Sequence, residues 1–330
     1  MNTNQTMPGR IDVHHHVIPE VYLRTMDDAG LHDPIPGVAY PHWDVEADLD
    51  LMDRYGIRTA VVSITAPGVS FLDGPQAAKA ARATNEALAQ LIADHPGRYG
   101  AFALVPLAED ADSVDAALGE IDYALDVLGL DGVGLFTNYH GTYLGDPHFD
   151  RLFAAIAERD AVVHVHPETP GATDQPDFDL PPSLYEFTFD TTRMAANLLY
   201  SGTLDRHPGL RLILSHAGGT VPFLAKRLTY ATTINPKLRD REPRDVLGSL
   251  RNLYYDTAMS ASRPTLAALS EFVSSDHILF GTDYPFVPES ATAEAVTGVR
   301  EFFGADEAAL RNVEHDSAAA LLPRIAKLAG

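Results

Sequence analysis

The chain has 330 residues, of which 45% are hydrophobic and 21% are charged, and this composition is typical of a folded globular protein rather than a disordered one. A formal net charge of -22 argues against nucleic acid and anionic membrane surfaces as partners, because both would be repelled at long range. The absence of cysteine excludes disulfides, thiolate metal sites and a cysteine nucleophile, so any metal ion would have nitrogen and oxygen ligands.

Short apolar or β-branched runs recur along the chain, most of them separated by Ala- and Leu-rich segments with helical periodicity. The predicted strands are 10–16, 58–64, 99–106, 131–138, 161–167, 210–219, 253–258 and 277–285. The clearest predicted helices are 75–96, 112–130 and 146–160. Eight strand-plus-helix units predict an α/β fold, a (β/α)8 TIM barrel, with a doubly wound open sheet as the alternative.

No internal repeat, low-complexity tract or linker marks a boundary, so we expect residues 1–330 to form a single domain. The first ten residues lack the apolar segment of a signal peptide, and no run approaches the roughly 18 apolar residues that span a bilayer. The sequence therefore predicts a cytoplasmic protein.

Two predicted connections are too long to be tight turns: the segment 17–57 after the first strand, expected to be a small insertion, and a long loop at 168–197 after the fifth strand. Both follow the carboxyl end of a strand, where barrel enzymes build their active sites. The stretch 167–187 is rich in Pro and Asp and is typical of a lid or interface segment.

Ligand-type side chains fall at several of these strand ends. His14 and His16 end the first strand and point to the same side, because side chains alternate along a strand. His166, His216 and Asp283 end the fifth, sixth and eighth predicted strands. Imidazoles together with a carboxylate predict one catalytic divalent metal ion at the barrel mouth; Zn²⁺ is the first choice, and Mn²⁺ or Fe²⁺ would accept the same donors.

Four segments resemble the amidohydrolase superfamily, and within it the aminocarboxymuconate-semialdehyde decarboxylase-like branch. They are "DVHHH" (12–16), "VHP" (165–167), "LILSHAGGTVPFLAKR" (212–227) and "FGTDYPF" (280–286). The resemblance covers nearly the whole chain, and residues 185–228 look most similar to the 6-methylsalicylate decarboxylase-like group. It implies that the metal ligands are His14, His16, His166 and Asp283, and that His216 is an acid/base residue beside them.

The resemblance also implies substrate-binding residues and an assembly. Arg227 matches an arginine that in some members reaches the substrate carboxylate of a neighbouring subunit, which implies a homodimer or higher homo-oligomer; the alternative is an ordinary helix-surface arginine. Arg193 would be a second carboxylate binder, or would anchor its helix through Asp190 or Glu186. Apart from the resemblance, the indole of Trp43 is suited to stacking on an aromatic substrate; the alternative is that it belongs to the core of its segment.

One departure from the branch narrows the substrate. Where the muconate-semialdehyde decarboxylases carry arginines after the tryptophan, this chain has Asp48 and Asp50, which would receive a second carboxylate poorly. A small anionic hydroxybenzoate with one carboxylate fits better.

The expected activity is therefore non-oxidative, metal-dependent decarboxylation of a small ortho-hydroxy aromatic carboxylate such as 6-methylsalicylate, with Asp283 or His216 as proton donor. The alternatives are a hydrolase or hydratase that attacks an ester, lactone or amide with metal-bound hydroxide, and a metal-binding barrel without catalysis.

Overall fold

The computed structural model describes residues 9–33, 39–107, 112–169 and 178–329. Within them, eight parallel strands pair in chain order in one sheet, and a two-stranded antiparallel hairpin, β5 and β6, lies between the fourth and fifth of these strands. The strands are β1 (Arg10–His16), β2 (Ile57–Ser63), β3 (Tyr99–Leu104), β4 (Gly132–Phe136), β5 (Asn138–Tyr139), β6 (Thr142–Tyr143), β7 (Val162–His166), β8 (Arg211–Leu214), β9 (Tyr254–Asp256) and β10 (Ile278–Leu279).

The last strand segment closes the ring onto the first. The Val13 amide donates to the Phe280 carbonyl at 3.0 Å, and the His16 amide donates to the Tyr284 carbonyl at 2.7 Å. The predicted (β/α)8 barrel is thus confirmed, and the open-sheet alternative is wrong.

Helices follow the strands, and most of them pack on the outside of the ring. They are α1 (Glu20–Asp28), α2 (Val45–Tyr55), α3 (Gly74–Asp94), α4 (Asp112–Asp122), α5 (Asp150–Glu158), α6 (Glu186–Tyr200), α7 (Thr203–Arg206), α8 (Val221–Leu228), α9 (Ala231–Ile234), α10 (Val246–Arg251), α11 (Arg263–Phe272), α12 (Glu289–Phe303), α13 (Glu307–Arg311), α14 (Ser317–Leu321) and α15 (Pro323–Ala329). Two π-helical turns, Tyr123–Val127 and Asn312–Asp316, extend α4 and join α13 to α14. None of the helices in the described ranges is long and apolar enough to cross a membrane.

The predicted connections contain more structure than expected. Helices α1 and α2 lie within 17–57, and α6 begins at Glu186, inside the segment predicted as a loop up to residue 197. Of the predicted lid segment 167–187, residues 170–177 lie outside the described part of the chain.

The predicted strands 210–219 and 277–285 end well before their predicted bounds because the backbone turns early. The strand β8 ends at Leu214, and Ala217 then adopts a positive φ of 56°. The strand β10 covers only Ile278–Leu279, and Asp283 has a φ of 67°. Both turns bring a sequence-predicted functional side chain to the carboxyl end of the barrel.

An apolar cluster lies below that end. It takes one or two buried residues from each of six barrel strands: Ile11, Val13, Val61, Phe102, Val162, Ile213 and Leu279. Four residues of α14, α15 and their junction complete it: Ala318, Leu321, Leu322 and Ile325. The ring of Phe102 stacks on His164 with a centroid distance of 5.3 Å. The apolar layer therefore lies directly beneath the histidines.

Candidate metal centre and active site

Four ligand-type side chains from three parts of the barrel meet at its carboxyl end. His14 and His16 come from β1, His166 from the end of β7 and Asp283 from the turn after β10; all four are buried, and their ligand atoms lie within 4.8 Å of one another. The Nε2 atoms of His14 and His16 are 3.1 Å apart, and His16 Nε2 is 3.1 Å from Asp283 Oδ1. The structure thus brings together all four predicted metal ligands.

Each of the three imidazoles directs its Nδ1 atom away from this cluster. Each Nδ1 faces an oxygen that accepts a hydrogen bond: His14 faces Asp256 Oδ2 at 2.8 Å, His16 faces the Ser63 carbonyl at 3.2 Å, and His166 faces the Pro167 carbonyl at 2.8 Å. With the Nδ1 atoms bonded outward, the Nε2 atoms face inward. Three imidazole nitrogens and a carboxylate that face one another are the donor set that a divalent cation needs.

The electrostatics of the cluster favour neutral imidazoles at His16 and His166 and a positive charge at His14. Burial, followed by the neighbouring imidazoles, lowers the pKa of His166 well below its ordinary value, and burial also lowers the pKa of His16. Burial disfavours the charged form of His14 as well, but the carboxylates of Asp256 and Asp283 outweigh it and raise the His14 pKa to about 10. A positive charge is therefore strongly stabilised at the centre of the cluster.

His216 lies beside the four residues rather than among them. Its Nε2 is 3.4 Å from Asp283 Oδ2, and its backbone N–H donates to Asp256 Oδ1 at 2.9 Å. Its Nδ1 is buried and has no hydrogen-bond partner in the described ranges. The side chain is thus free to bond to a ligand, consistent with the predicted acid/base role.

The turn after His216 requires glycine. Gly219 has a φ of 62°, and a Cβ at this position would lie 2.0 Å from the Thr188 carbonyl oxygen. This close approach lets the turn pack directly against α6 and fixes the position of His216.

A cavity of about 280 Å³ opens above the cluster. Most of its lining side chains are apolar or small: Thr65, His166, Pro181, Ser183, Leu184, Phe187, His216, Met259, Asp283, Phe286 and Val287. Among the described residues, neither lysine nor arginine lines it. A carboxylate in this cavity would need a metal ion, or a cation from outside this lining, to balance its charge.

The predicted substrate-binding residues lie outside this lining. The Trp43 indole N–H donates to Asp48 Oδ2 at 3.1 Å. The Arg193 side chain is 41% exposed and pairs with Glu186 at 3.4 Å, as expected if it anchors its helix. Arg227 is exposed on α8. Their substrate-binding roles stay predictions.

Three residues that hold the site were not predicted in that role. Asp256 orients His14 and lies at the end of β9, where the rule applied to the other strand ends would have found it. Thr137 and Asp190 bond to each other beside the segment that carries His166; Asp190 was named only as an ion-pair partner for Arg193, and no motif marked Thr137.

Comparison with known proteins gives one family and a similar protein over nearly the whole chain. Residues 11–324 match the model of a family described as amidohydrolase. A 6-methylsalicylic acid decarboxylase from Penicillium expansum is 38% identical over 320 residues, which cover 96% of this chain and 97% of that protein.

Two solved structures share the architecture. A 2,6-dihydroxybenzoate decarboxylase complexed with 2,6-dihydroxybenzoate is 27% identical, with a TM-score of 0.79 and coverage of 96% of this chain and 99% of that one. A dihydroxybenzoic acid decarboxylase from a Polaromonas species, with bound manganese and the inhibitor 2-nitroresorcinol, is 25% identical, with a TM-score of 0.79 and coverage of 96% and 97%. The resemblance inferred from the motifs is confirmed: the chain belongs to the amidohydrolase family.

Proposed function

We propose that the protein is a metal-dependent decarboxylase that releases CO₂ from a small ortho-hydroxy aromatic carboxylate of the 6-methylsalicylate type. The observation that carries this proposal is the convergence of three inward-facing Nε2 atoms and the Asp283 carboxylate at the floor of a largely apolar cavity. The substrates named for the relatives, 6-methylsalicylate and 2,6-dihydroxybenzoate, are aromatic monocarboxylates with an ortho hydroxyl group.

The residues that would hold the metal ion are His14, His16, His166 and Asp283. We propose Zn²⁺, since three imidazoles and a carboxylate suit it; Mn²⁺, the ion in the Polaromonas structure, and Fe²⁺ accept the same donors. When bound, a dication orients the carboxylate and the ortho oxygen of the substrate and stabilises their negative charge.

The side chains of the cavity would do the rest. Leu184, Phe187 and Phe286 supply apolar surface for an aromatic ring and exclude water from it. Asp283 and His216 border the cavity, and one of them delivers a proton to the ring carbon that bears the carboxylate. The bond from this carbon to the carboxylate then breaks, its electron pair restores the aromatic ring, and CO₂ leaves.

The direct test is product analysis with metal-loaded protein. We expect CO₂ from 6-methylsalicylate and 2,6-dihydroxybenzoate, and a rate at least about a hundredfold lower with 3-hydroxybenzoate, which lacks the ortho oxygen. Chelation should abolish CO₂ release, and added Zn²⁺ or Mn²⁺ should restore it. Hydrolysis of simple lactones or esters without any CO₂ from the benzoates would overturn the proposal and favour the hydrolase alternative.

We further propose that the protein forms a homodimer or a higher homo-oligomer. Exposed large apolar side chains concentrate in 178–189 and 223–234: Phe178, Leu180, Leu184, Phe189, Phe223, Tyr230 and Ile234. Apolar surface of this kind supports contact with a second copy. Arg227 lies on the same helix as Phe223 and would reach into the cavity of the partner subunit. It would supply the cation that the described lining of each cavity lacks.

Mixing two inactive variants tests this arrangement. Arg227→Ala and Asp283→Asn should each be nearly inactive, but a mixed dimer has one cavity with an intact Asp283 and an Arg227 from its partner. We therefore expect decarboxylation to return when the two variants are co-refolded or co-expressed, while Lys226→Ala, one position earlier on α8, stays fully active. A mixture that stays inactive, or a monomer in light scattering, would contradict the proposal.

A further inference from the structure

The three imidazoles of the proposed metal centre differ in what holds their Nδ1 atoms. His14 donates directly to the Asp256 carboxylate at 2.8 Å, whereas His166 donates to a backbone carbonyl, that of Pro167, at the same distance. A carbonyl oxygen polarises an imidazole less than a carboxylate does. How strongly the Pro167 carbonyl accepts therefore depends on what bonds to the other end of its peptide group, the Glu168 N–H.

That peptide group is hydrogen-bonded at both ends. Its carbonyl belongs to Pro167 and its N–H belongs to Glu168, and this N–H donates to Thr137 Oγ1 at 3.0 Å. The Thr137 backbone N–H also donates to the His166 carbonyl, at 3.0 Å. Thr137 thus holds the chain on both sides of Pro167.

The direction of the Thr137 hydroxyl follows from this contact. A backbone N–H can only donate, so Oγ1 accepts from Glu168 and its single proton is left for another acceptor. That acceptor is Asp190 Oδ2, a buried carboxylate on α6 that also accepts from the Asn138 side-chain amide at 3.0 Å and from the Tyr143 hydroxyl. Both Thr137 and Asp190 are fully buried, so water does not compete for these bonds.

We propose that Asp190 is a positioning residue for His166, acting through the Thr137 hydroxyl and the Pro167–Glu168 peptide group. In this series of hydrogen bonds every donor points toward Asp190, so each bond polarises the next. The carboxylate makes the Pro167 carbonyl a stronger acceptor for the His166 Nδ1 proton, which fixes the ring orientation and increases the electron density at Nε2. Asp190 would do for His166 at a distance what Asp256 does for His14 directly.

This inference rests on the proposed function, because it assumes that His166 Nε2 binds the metal ion. Thr137 and Asp190 would thus act on the metal centre although neither of them lines the cavity.

The test uses four variants of the full chain and two measurements that do not depend on turnover. Thr137→Val removes the hydroxyl at nearly constant volume, Thr137→Ser retains it, and Asp190→Asn removes the charge. Thr84→Val is the matched control, since the Thr84 hydroxyl is buried and has no hydrogen-bond partner among the described residues. The measurements are the Zn²⁺ dissociation constant, by chelator competition, and the proton chemical shift of His166 Nδ1–H in metal-free protein labelled with ¹⁵N-histidine.

We expect Thr137→Val to weaken Zn²⁺ binding about tenfold or more and to move the Nδ1 proton resonance upfield. Asp190→Asn should move the resonance in the same direction, and Thr137→Ser and Thr84→Val should leave both measurements unchanged. The proposal is overturned if Thr137→Val matches the wild type, or if Thr137→Ser loses as much as Thr137→Val.

If Thr137→Val does not fold, Asp190→Asn decides, and an unchanged resonance in that variant overturns the proposal. Failure of the wild type to bind Zn²⁺ or Mn²⁺ would instead contradict the metal centre and the proposed function. The resonance of the metal-free protein would still test the hydrogen-bond chain.

Discussion

Replacement of Asp283 by asparagine is expected to lower kcat for decarboxylation by about 10³-fold. The carboxylate lies 3.1 Å from His16 Nε2, 3.3 Å from His14 Nε2 and 3.4 Å from His216 Nε2, so it contacts three of the imidazoles of the site. Asparagine retains the shape but removes the negative charge that attracts a dication and the basic oxygen that exchanges a proton. The measurement is CO₂ release at saturating substrate, with bound metal quantified in the same samples.

The control for this substitution is Asp240→Asn, which removes an exposed carboxylate outside the described lining of the cavity. It should leave kcat within about twofold of the wild type, as expected for a surface substitution. A similarly small effect at Asp283 would show that its carboxylate is neither a metal ligand nor the group that transfers the proton. Bound metal separates these roles, because a variant that binds metal normally but is inactive has lost only the chemical step.

The second large effect is on stability. We expect Glu314→Gln to destabilise the protein by about 3 kcal/mol, because it leaves the buried Arg10 guanidinium without its counter-charge. Glu314 accepts from Arg10 Nε at 2.8 Å and from the half-exposed Arg300 Nε at 3.2 Å, and the Arg10 and Glu314 side chains are only 4% and 2% exposed. Urea unfolding followed by circular dichroism measures the change.

The matched control is an exposed ion pair between Asp316, in the same π-helical turn, and Arg311, at the end of α13. Asp316 pairs with Arg311 at 2.8 Å, and their side chains are 38% and 44% exposed. Because solvent screens such a pair, Asp316→Asn should cost less than about 1 kcal/mol. Equal losses from the two substitutions would show that the burial of the Arg10–Glu314 pair contributes nothing beyond its charge.

The strand ends were the part of the site that could be predicted. Side-chain alternation put His14 and His16 on one face, and parallel strands in a barrel end at one rim, so His166, His216 and Asp283 had to lie near them. The order of the strands along the chain is enough for this inference, because the carboxyl ends of all parallel strands lie at the same rim of the barrel. The same regularity made the eight strand positions recognisable.

The remaining features depend on contacts that no period in the sequence encodes. Thr137 and Asp190 are 53 positions apart and meet only because α6 packs beside the hairpin of β5 and β6. Helix α6 itself lay partly within a predicted loop, since it follows a stretch rich in Pro and Asp. The apolar side chains that line the cavity come from three separated parts of the chain: 181–187, Met259 and 286–287. The indole of Trp43 bonds to Asp48 and does not join this lining.

The closing of the ring by residues 280–284 on β1 also bears on how the protein is made. In a nascent chain His14 and His16 are present long before Asp283, which is synthesised 267 positions after His16, and Glu314 follows Arg10 by 304. Until then the first strand has only one of its two neighbours and the histidines lack their carboxylate. A centre with all four ligands therefore cannot be completed before residue 283 has been synthesised, and truncation before this residue would yield chains that can form most of the barrel but no finished centre.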